Sequence, residues 1–168
     1  HPSSEYLFMI LVTPVGPYFK EGFRPTNICI MREFDRVAPK GTGRWKVGGN
    51  YAASMEAGEK AHELGYSAVL YLDPKEKKYI DECGPANFFA VKDGVYITPA
   101  SESILPSVTN NSLMTLAEDM GIKVERRHIP VEELAEIQEA AACGTAAVAS
   151  PVAEIHDLDL DVKYIVAK

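Results

Sequence analysis

Apolar and polar positions change period repeatedly along this chain, and each change predicts an element. Residues 6–15 (YLFMILVTPV) are almost continuously apolar and predict a buried strand. Residues 26–34 (TNICIMREF) partly alternate and predict a second strand, with Gly16-Pro17 and Gly22 marking a loop between the two. Residues 37–49 hold Pro39, Gly41, Gly43, Gly48 and Gly49, which predicts an irregular loop. Over 51–64 the pattern predicts a helix, with Ala52, Met55, Ala61 and Leu64 supplying contacts. Asn50 suits its N-cap and Gly65 its C′ stop.

Further on, 67–73 (SAVLYLD), 79–82 (YIDE), 87–91 (NFFAV) and 95–99 (VYITP) read as strands. The last two are joined by Lys92-Asp93-Gly94, and Asp-Gly is the strongest hairpin signal present. A helix follows at 109–120, closed by Gly121, and then a strand at 123–129. Pro130-Val131-Glu132-Glu133-Leu134 begins a short helix, with Pro near its first turn and the acids at its positive end. Residues 137–142 and 146–149 read as extended, separated by Gly144-Thr145, and 162–167 as a last strand. The fold class is mixed α+β, rich in antiparallel strands. With no repeat or linker visible, residues 1–168 form one domain. The chain stops on the apolar strand Tyr164-Ile165-Val166 with no finishing element, and so reads as a fragment.

Composition narrows the possible partners. With 168 residues, 46% of them hydrophobic, a real core can form. A net charge of −7 without any concentrated Lys/Arg stretch argues against nucleic acid or an anionic membrane as partner. The densest basic run, Lys75-Glu76-Lys77-Lys78, is interrupted by acid and reads as a solvated turn. No apolar run reaches the roughly 18–20 residues that span a bilayer. Cys29, Cys83 and Cys143 are odd in number and widely spaced, forming neither a disulfide framework nor a metal pattern. They read as buried free thiols in a reducing compartment, with the cytoplasm as the default location.

Chemistry concentrates at Lys46, in Gly43-Arg44-Trp45-Lys46-Val47-Gly48-Gly49-Asn50-Tyr51. An amine desolvated beside glycines and a helix N-terminus suits covalent adduct formation with an aldehyde. Taken alone, this window reads first as a surface lysine in a Gly-rich turn. Three more clusters accompany it: Ile80-Asp81-Glu82-Cys83-Gly84-Pro85, Leu105-Pro106-Ser107-Val108-Thr109 and Cys143-Gly144-Thr145-Ala146-Ala147. Individually, Glu82 reads as a turn-exposed acid, Tyr51 as a helix-start aromatic, Thr109 as a helix cap and Gly-Thr-Ala as a structural turn.

In this order the four clusters resemble the branched-chain aminotransferases, a group of fold type IV enzymes that use pyridoxal 5′-phosphate. The resemblance runs from about Tyr6 to the chain end and corresponds to the larger, cofactor-binding domain, a mostly antiparallel pseudo-barrel with flanking helices. It implies that Lys46 holds the cofactor as a Schiff base and moves the substrate's α-proton. Glu82 would face the pyridine nitrogen, and Tyr51 the phenolic oxygen. Val108, Thr109 and Thr145 would serve the phosphate, with Gly144 permitting close approach. Thr145 and Ala146 would receive the substrate carboxylate.

The implied reaction moves the amino group of leucine, isoleucine or valine to 2-oxoglutarate, in a homodimer. Alternatives are a D-amino acid aminotransferase or aminodeoxychorismate lyase of the same fold, or a non-catalytic assembly module. Ser107 and Asn110 depart from the family's usual Gly and Arg, and Trp45 is bulkier than usual at its place. Ala147 and Ser150 replace the Cys-x-x-Cys pair of some animal members. The family's small N-terminal domain, which supplies a phosphate-binding arginine and much of the side-chain pocket, has no counterpart here.

Overall fold

The computed structural model describes residues 1–14 and 24–166. Its centre is one sheet nearly closed into a barrel. The elements are β1 (Thr26–Ile30), α1 (Gly48–Glu63), β2 (Leu70–Leu72), β3 (Ile80–Cys83), β4 (Ala86–Lys92), β5 (Val95–Pro99), α2 (Val108–Asp119), β6 (Val124–Arg127), β7 (Glu139–Gly144), β8 (Val148–Asp157) and β9 (Val162–Ile165), with a 3₁₀ helix at Val131–Glu136. The wall runs β1-β8-β7-β4-β3-β2, while β5 and β6 branch from β4 and β9 pairs with β8. The ring meets itself where Cys29 N–H donates to the Ala68 carbonyl at 3.1 Å and Ser67 N–H to that of Asn27 at 2.8 Å. Most ladders are antiparallel; β1–β8 and β5–β6 are parallel.

Covering on both faces explains why the second half of β1, Ile28-Cys29-Ile30, is apolar and buried throughout. Ile28 and Ile30 face the inner cluster with Leu70, Ile80, Phe88, Ile97 and Ile155. Cys29 and Met31 face outward and are sealed by Ala57 and Ala61 of α1. Those alanines, spaced i and i+4, let the helix lie close on the sheet. The expected contacts differ: Ala61 is buried, but Ala52 is exposed and Met55 and Leu64 project into solvent.

Several expectations need correction. No strand forms over 6–14, where Tyr6 to Val12 are all exposed. β1 is already paired on both sides, with β8 and with the start of β2, so a preceding strand finds no free ladder there. Val15, Gly16-Pro17 and Gly22 lie outside the described residues. The strand expected at 26–34 stops at Ile30, and the one at 67–73 narrows to Leu70–Leu72. α1 begins at Gly48, not after Asn50; Val47 occupies the N-cap position and there is no side-chain cap. In β8, Ser150 to Asp157 continue a strand expected to end at 149, because mixed polarity and Pro151 hide it.

Turn chemistry is better matched. Asp93 (φ 51°) and Gly94 (φ 75°) both take the left-handed conformation that an Asp-Gly hairpin requires. α1 ends in a Schellman motif: Gly65 N–H donates to the His62 carbonyl and Tyr66 N–H to that of Ala61. α2 ends the same way, with Gly121 and Ile122 donating to Glu118 and Ala117.

Candidate active site

Register brings the loops together. Asn87 pairs with Cys143, so the β3–β4 turn at Gly84-Pro85 stands beside the β7–β8 turn at 145–147. Around them lies a cavity of about 690 Å³ lined by Lys46, Tyr51, Asn87, Leu105, Pro106, Ser107, Val108, Gly144, Thr145 and Ala146, among others. That size suits a cofactor with a small substrate. A narrower adjoining recess shares Lys46, Tyr51, Pro85 and Leu105, and adds Arg36, Trp45, Asn50 and Glu82. Clusters separated by about a hundred residues thus face one space.

Lys46 sits at the mouth of this space and is exposed, so this chain alone does not supply the expected desolvation. Its loop is nevertheless tightly specified. Asn50, buried in the first turn of α1, donates to the carbonyls of Thr42 (2.9 Å) and Trp45 (2.8 Å), and accepts from Thr42 Oγ1 (2.6 Å). Instead of capping the helix, Asn50 ties down the loop before it. At Gly43 a Cβ would run into the Ser103 carbonyl oxygen, so only glycine permits this approach. Gly48 and Gly49 are helical, not left-handed, and a Cβ on either would meet nothing within 4 Å.

Glu82 is buried in β3, not turn-exposed. Its Oε1 accepts from Asn87 Nδ2 (3.1 Å) and the Leu105 N–H (3.0 Å), while Oε2 lies 2.7 Å from Arg36 Nη2. Burial pushes its carboxyl up to about 7, opposed by the Arg36 cation, the Leu105 N–H and Lys46. The same guanidinium nitrogen donates to the carbonyls of Gly43 and Ser103. Arg36, Asn87 and the Leu105 N–H escape sequence reading. Phe34-Asp35-Arg36 looks like a solvated strand exit, and nothing local reveals a partner at position 82.

At α2, Ser107 is the N-cap, its Oγ accepting from Asn110 N–H at 3.1 Å; Thr109 is not the cap. Asn110 is buried, accepts from the Tyr96 hydroxyl (2.6 Å) and donates to Thr98 Oγ1 (3.0 Å). The two departures at 107 and 110 therefore form one coupled unit that fixes the helix entry. Val108 is exposed on the cavity rim, whereas Thr109 is half-buried and stands off the lining. Thr145 and Ala146 are exposed on the opposite rim. Cys29, Cys83 and Cys143 are free and buried, and burial raises each thiol, to about 11 at Cys29 and about 12 at the other two.

The near-closed mixed sheet thus carries an amine and a phenol on the cavity, with a buried carboxylate in the adjoining recess. The chain belongs to the class IV amino-transferase family, which it matches over residues 2–155. It is 54% identical over 157 residues to a branched-chain-amino-acid aminotransferase of Helicobacter pylori, covering 92% of this chain and 46% of that protein. A chloroplastic branched-chain-amino-acid aminotransferase of Arabidopsis thaliana is 48% identical, with coverages of 92% and 37%. The branched-chain amino acid aminotransferase of Escherichia coli superposes with a TM-score of 0.81 at 31% identity, over 93% of this chain and 50% of that one. The Thermobaculum terrenum enzyme, solved in its PLP form, gives 0.69 at 34% identity, with coverages of 80% and 44%. The chain spans about half the length of these relatives or less.

Proposed function

We propose that the protein bearing this chain is a branched-chain amino acid transaminase, moving the amino group of leucine, isoleucine or valine to 2-oxoglutarate. The observation that carries this is the meeting of Lys46, Tyr51 and the 144–146 turn on one cavity, with buried Glu82 in the adjoining recess. This donor set fits pyridoxal 5′-phosphate: an amine for its aldehyde, a carboxylate for its ring nitrogen, a phenol, and backbone N–H groups for its phosphate. When bound, that cofactor supplies the electron sink that makes the substrate's α-proton removable.

The chain's own residues then divide the work. Lys46 Nζ holds the cofactor covalently between turnovers, and takes and returns the proton at the substrate's Cα. Glu82, kept in place by Asn87 and the Leu105 N–H, would face the ring nitrogen and favour its protonated form. Tyr51 orients the phenolic oxygen. Val108 and Thr145, which line the cavity, would hold the phosphate near the start of α2, while Thr109, set back from the lining, would contribute at most its backbone N–H. Thr145 and Ala146 N–H groups receive the substrate carboxylate, with Gly144 allowing close approach. Pro85, Pro106 and Ala147 add apolar wall suited to an aliphatic side chain. The proposal extends to residues 1–168 as the cofactor-binding domain of a homodimer working in the cytoplasm, where the free thiols would stay reduced.

Replacing Lys46 with Ala tests this in the full-length protein. Wild-type protein incubated with the cofactor should show an absorbance band near the visible edge and a borohydride-fixed mass adduct. Lys46→Ala should lose both, together with leucine-dependent turnover. An unchanged band and adduct in the variant would overturn the assignment.

A further inference from the structure

One guanidinium on the narrow recess joins three segments of the chain. Arg36 follows β1, is 9% exposed, and reaches three separate segments: Gly43 in the Lys46 loop (3.4 Å), the Ser103 carbonyl, and Glu82 on β3 (2.7 Å). The Gly43 and Ser103 carbonyls belong to loops about sixty residues apart, pressed so close that no Cβ fits between them. All three contacts fall on one nitrogen, Nη2, whose N–H groups are shared between the Glu82 carboxylate and the two carbonyls.

We infer that Arg36 is a positioning residue for the proposed reaction. It acts through Glu82, keeping that carboxylate charged and aimed, and it locks the Lys46 loop against the loop at 101–105. The inference rests on reading Lys46 and Glu82 as the two ends of the pyridoxal site.

Physically, Glu82 is in a difficult place. Deep burial disfavours its charge, and Asp81 on the same strand adds repulsion. Cys83 and Cys143, the nearby thiols, are buried and neutral. The groups favouring ionisation are Arg36, the Leu105 N–H and Lys46, with Arg36 first among them. Removing Arg36 leaves a buried carboxyl whose protonated form is strongly preferred, and a protonated Glu82 can no longer hold a proton on a ring nitrogen. It also frees the Gly43 carbonyl in the Lys46 loop and the Ser103 carbonyl of the loop that faces it. One residue that contacts no substrate therefore governs both the acid and the approach of the amine.

The test uses the full-length protein with Arg36→Gln, Arg36→Lys and Glu82→Gln. In protein stripped of cofactor, infrared titration of the carboxyl band that disappears in Glu82→Gln follows Glu82 directly. Arg36→Gln should raise its midpoint by ~1 pH unit or more, and Arg36→Lys by less. In the loaded enzyme the acid limb of kcat/KM should move upward in the same order, with kcat falling more than KM rises. Borohydride-fixed adduct should form several-fold more slowly in both variants. If Arg36→Gln does not fold, Arg36→Lys carries the test through its slower adduct formation and smaller midpoint shift. A wild-type Glu82 midpoint, or a uniform loss of activity with unmoved pH limbs, would overturn the inference. If the cofactor reading itself is wrong, wild-type protein will bind no pyridoxal 5′-phosphate while the infrared titration still reports on Arg36, so the two failures are distinguishable.

Discussion

Asp81 and Glu82 are consecutive in β3 and both only 4% exposed, so two carboxylates are taken out of water on opposite faces of one strand. Burial pushes Asp81 up to about 6, and Asp73 adds to this, while a hydrogen bond from Ser101, the Arg36 cation and the nearby His128 pull the other way. In the unfolded chain Asp81 loses its proton near 3.8, yet the folded chain keeps it until about 6. Between those values the folded state binds more protons, so stability falls as pH rises through that window and stays lower above it. The same sign holds for Glu82 between 4.5 and about 7. Asp81→Asn should therefore stabilise the protein by about 2–3 kcal/mol at pH 8 and leave it nearly unchanged at pH 4. Thermal unfolding at the two pH values checks this; equal effects at both would refute it. That Lys46 and its glycine-rich loop stand out is legible in the sequence, and the lysine does line the cavity. Arg36 is not legible, because its meaning lies in partners that only the folded chain brings near.

Among elements, α1 shows how a helix start can serve a loop. Its N-terminal Asn50 looks like a cap in sequence, because Asn before an amphipathic run usually is one. The loop of 42–45 folds back over the helix start instead and offers its carbonyls to the same amide. Asn50→Ala should cost about 2–3 kcal/mol by leaving those carbonyls unpaired, and should slow covalent labelling at Lys46 by at least several-fold. Chemical denaturation and borohydride trapping measure the two effects; intact labelling in a destabilised variant would separate the loop from the amine. At the other end of the helix, Gly65 stands at φ +87°, and a methyl added there would meet nothing within 4 Å. Gly65→Ala should thus cost only the backbone strain, about 1 kcal/mol, seen as a small drop in Tm. Helix ends and the Asp93-Gly94 hairpin are legible because glycine and Asp-Gly act through local backbone geometry. The strand expected at 6–15 fails for the opposite reason: a strand exists only where a neighbour offers it a ladder.

For the whole molecule, the mixed sheet follows from the many short apolar runs, while its connectivity does not. Nothing in the sequence signals that β1 pairs in parallel with β8 or that β4 is shared by β3, β5 and β7. The described surface leaves Tyr6 to Val12 exposed, along with Met55 and Leu64 on α1 and Val108 and Val148 near the cavity. Such apolar exposure favours association. The 168-residue polypeptide produced alone should form larger species with rising concentration, which sedimentation velocity would reveal; a single monomeric boundary throughout would contradict this.

Thr26 meets Val152 across most of the chain's length, and this has a temporal consequence. A ribosome making this protein delivers the first wall of the barrel long before the one that seals it. Until the eighth strand emerges, Ile28 and Ile30 have no lasting shelter on that flank, and closure must come late and over a long loop. The nascent chain is most vulnerable to wrong pairings in that interval, and this is where a chaperone would have most to do.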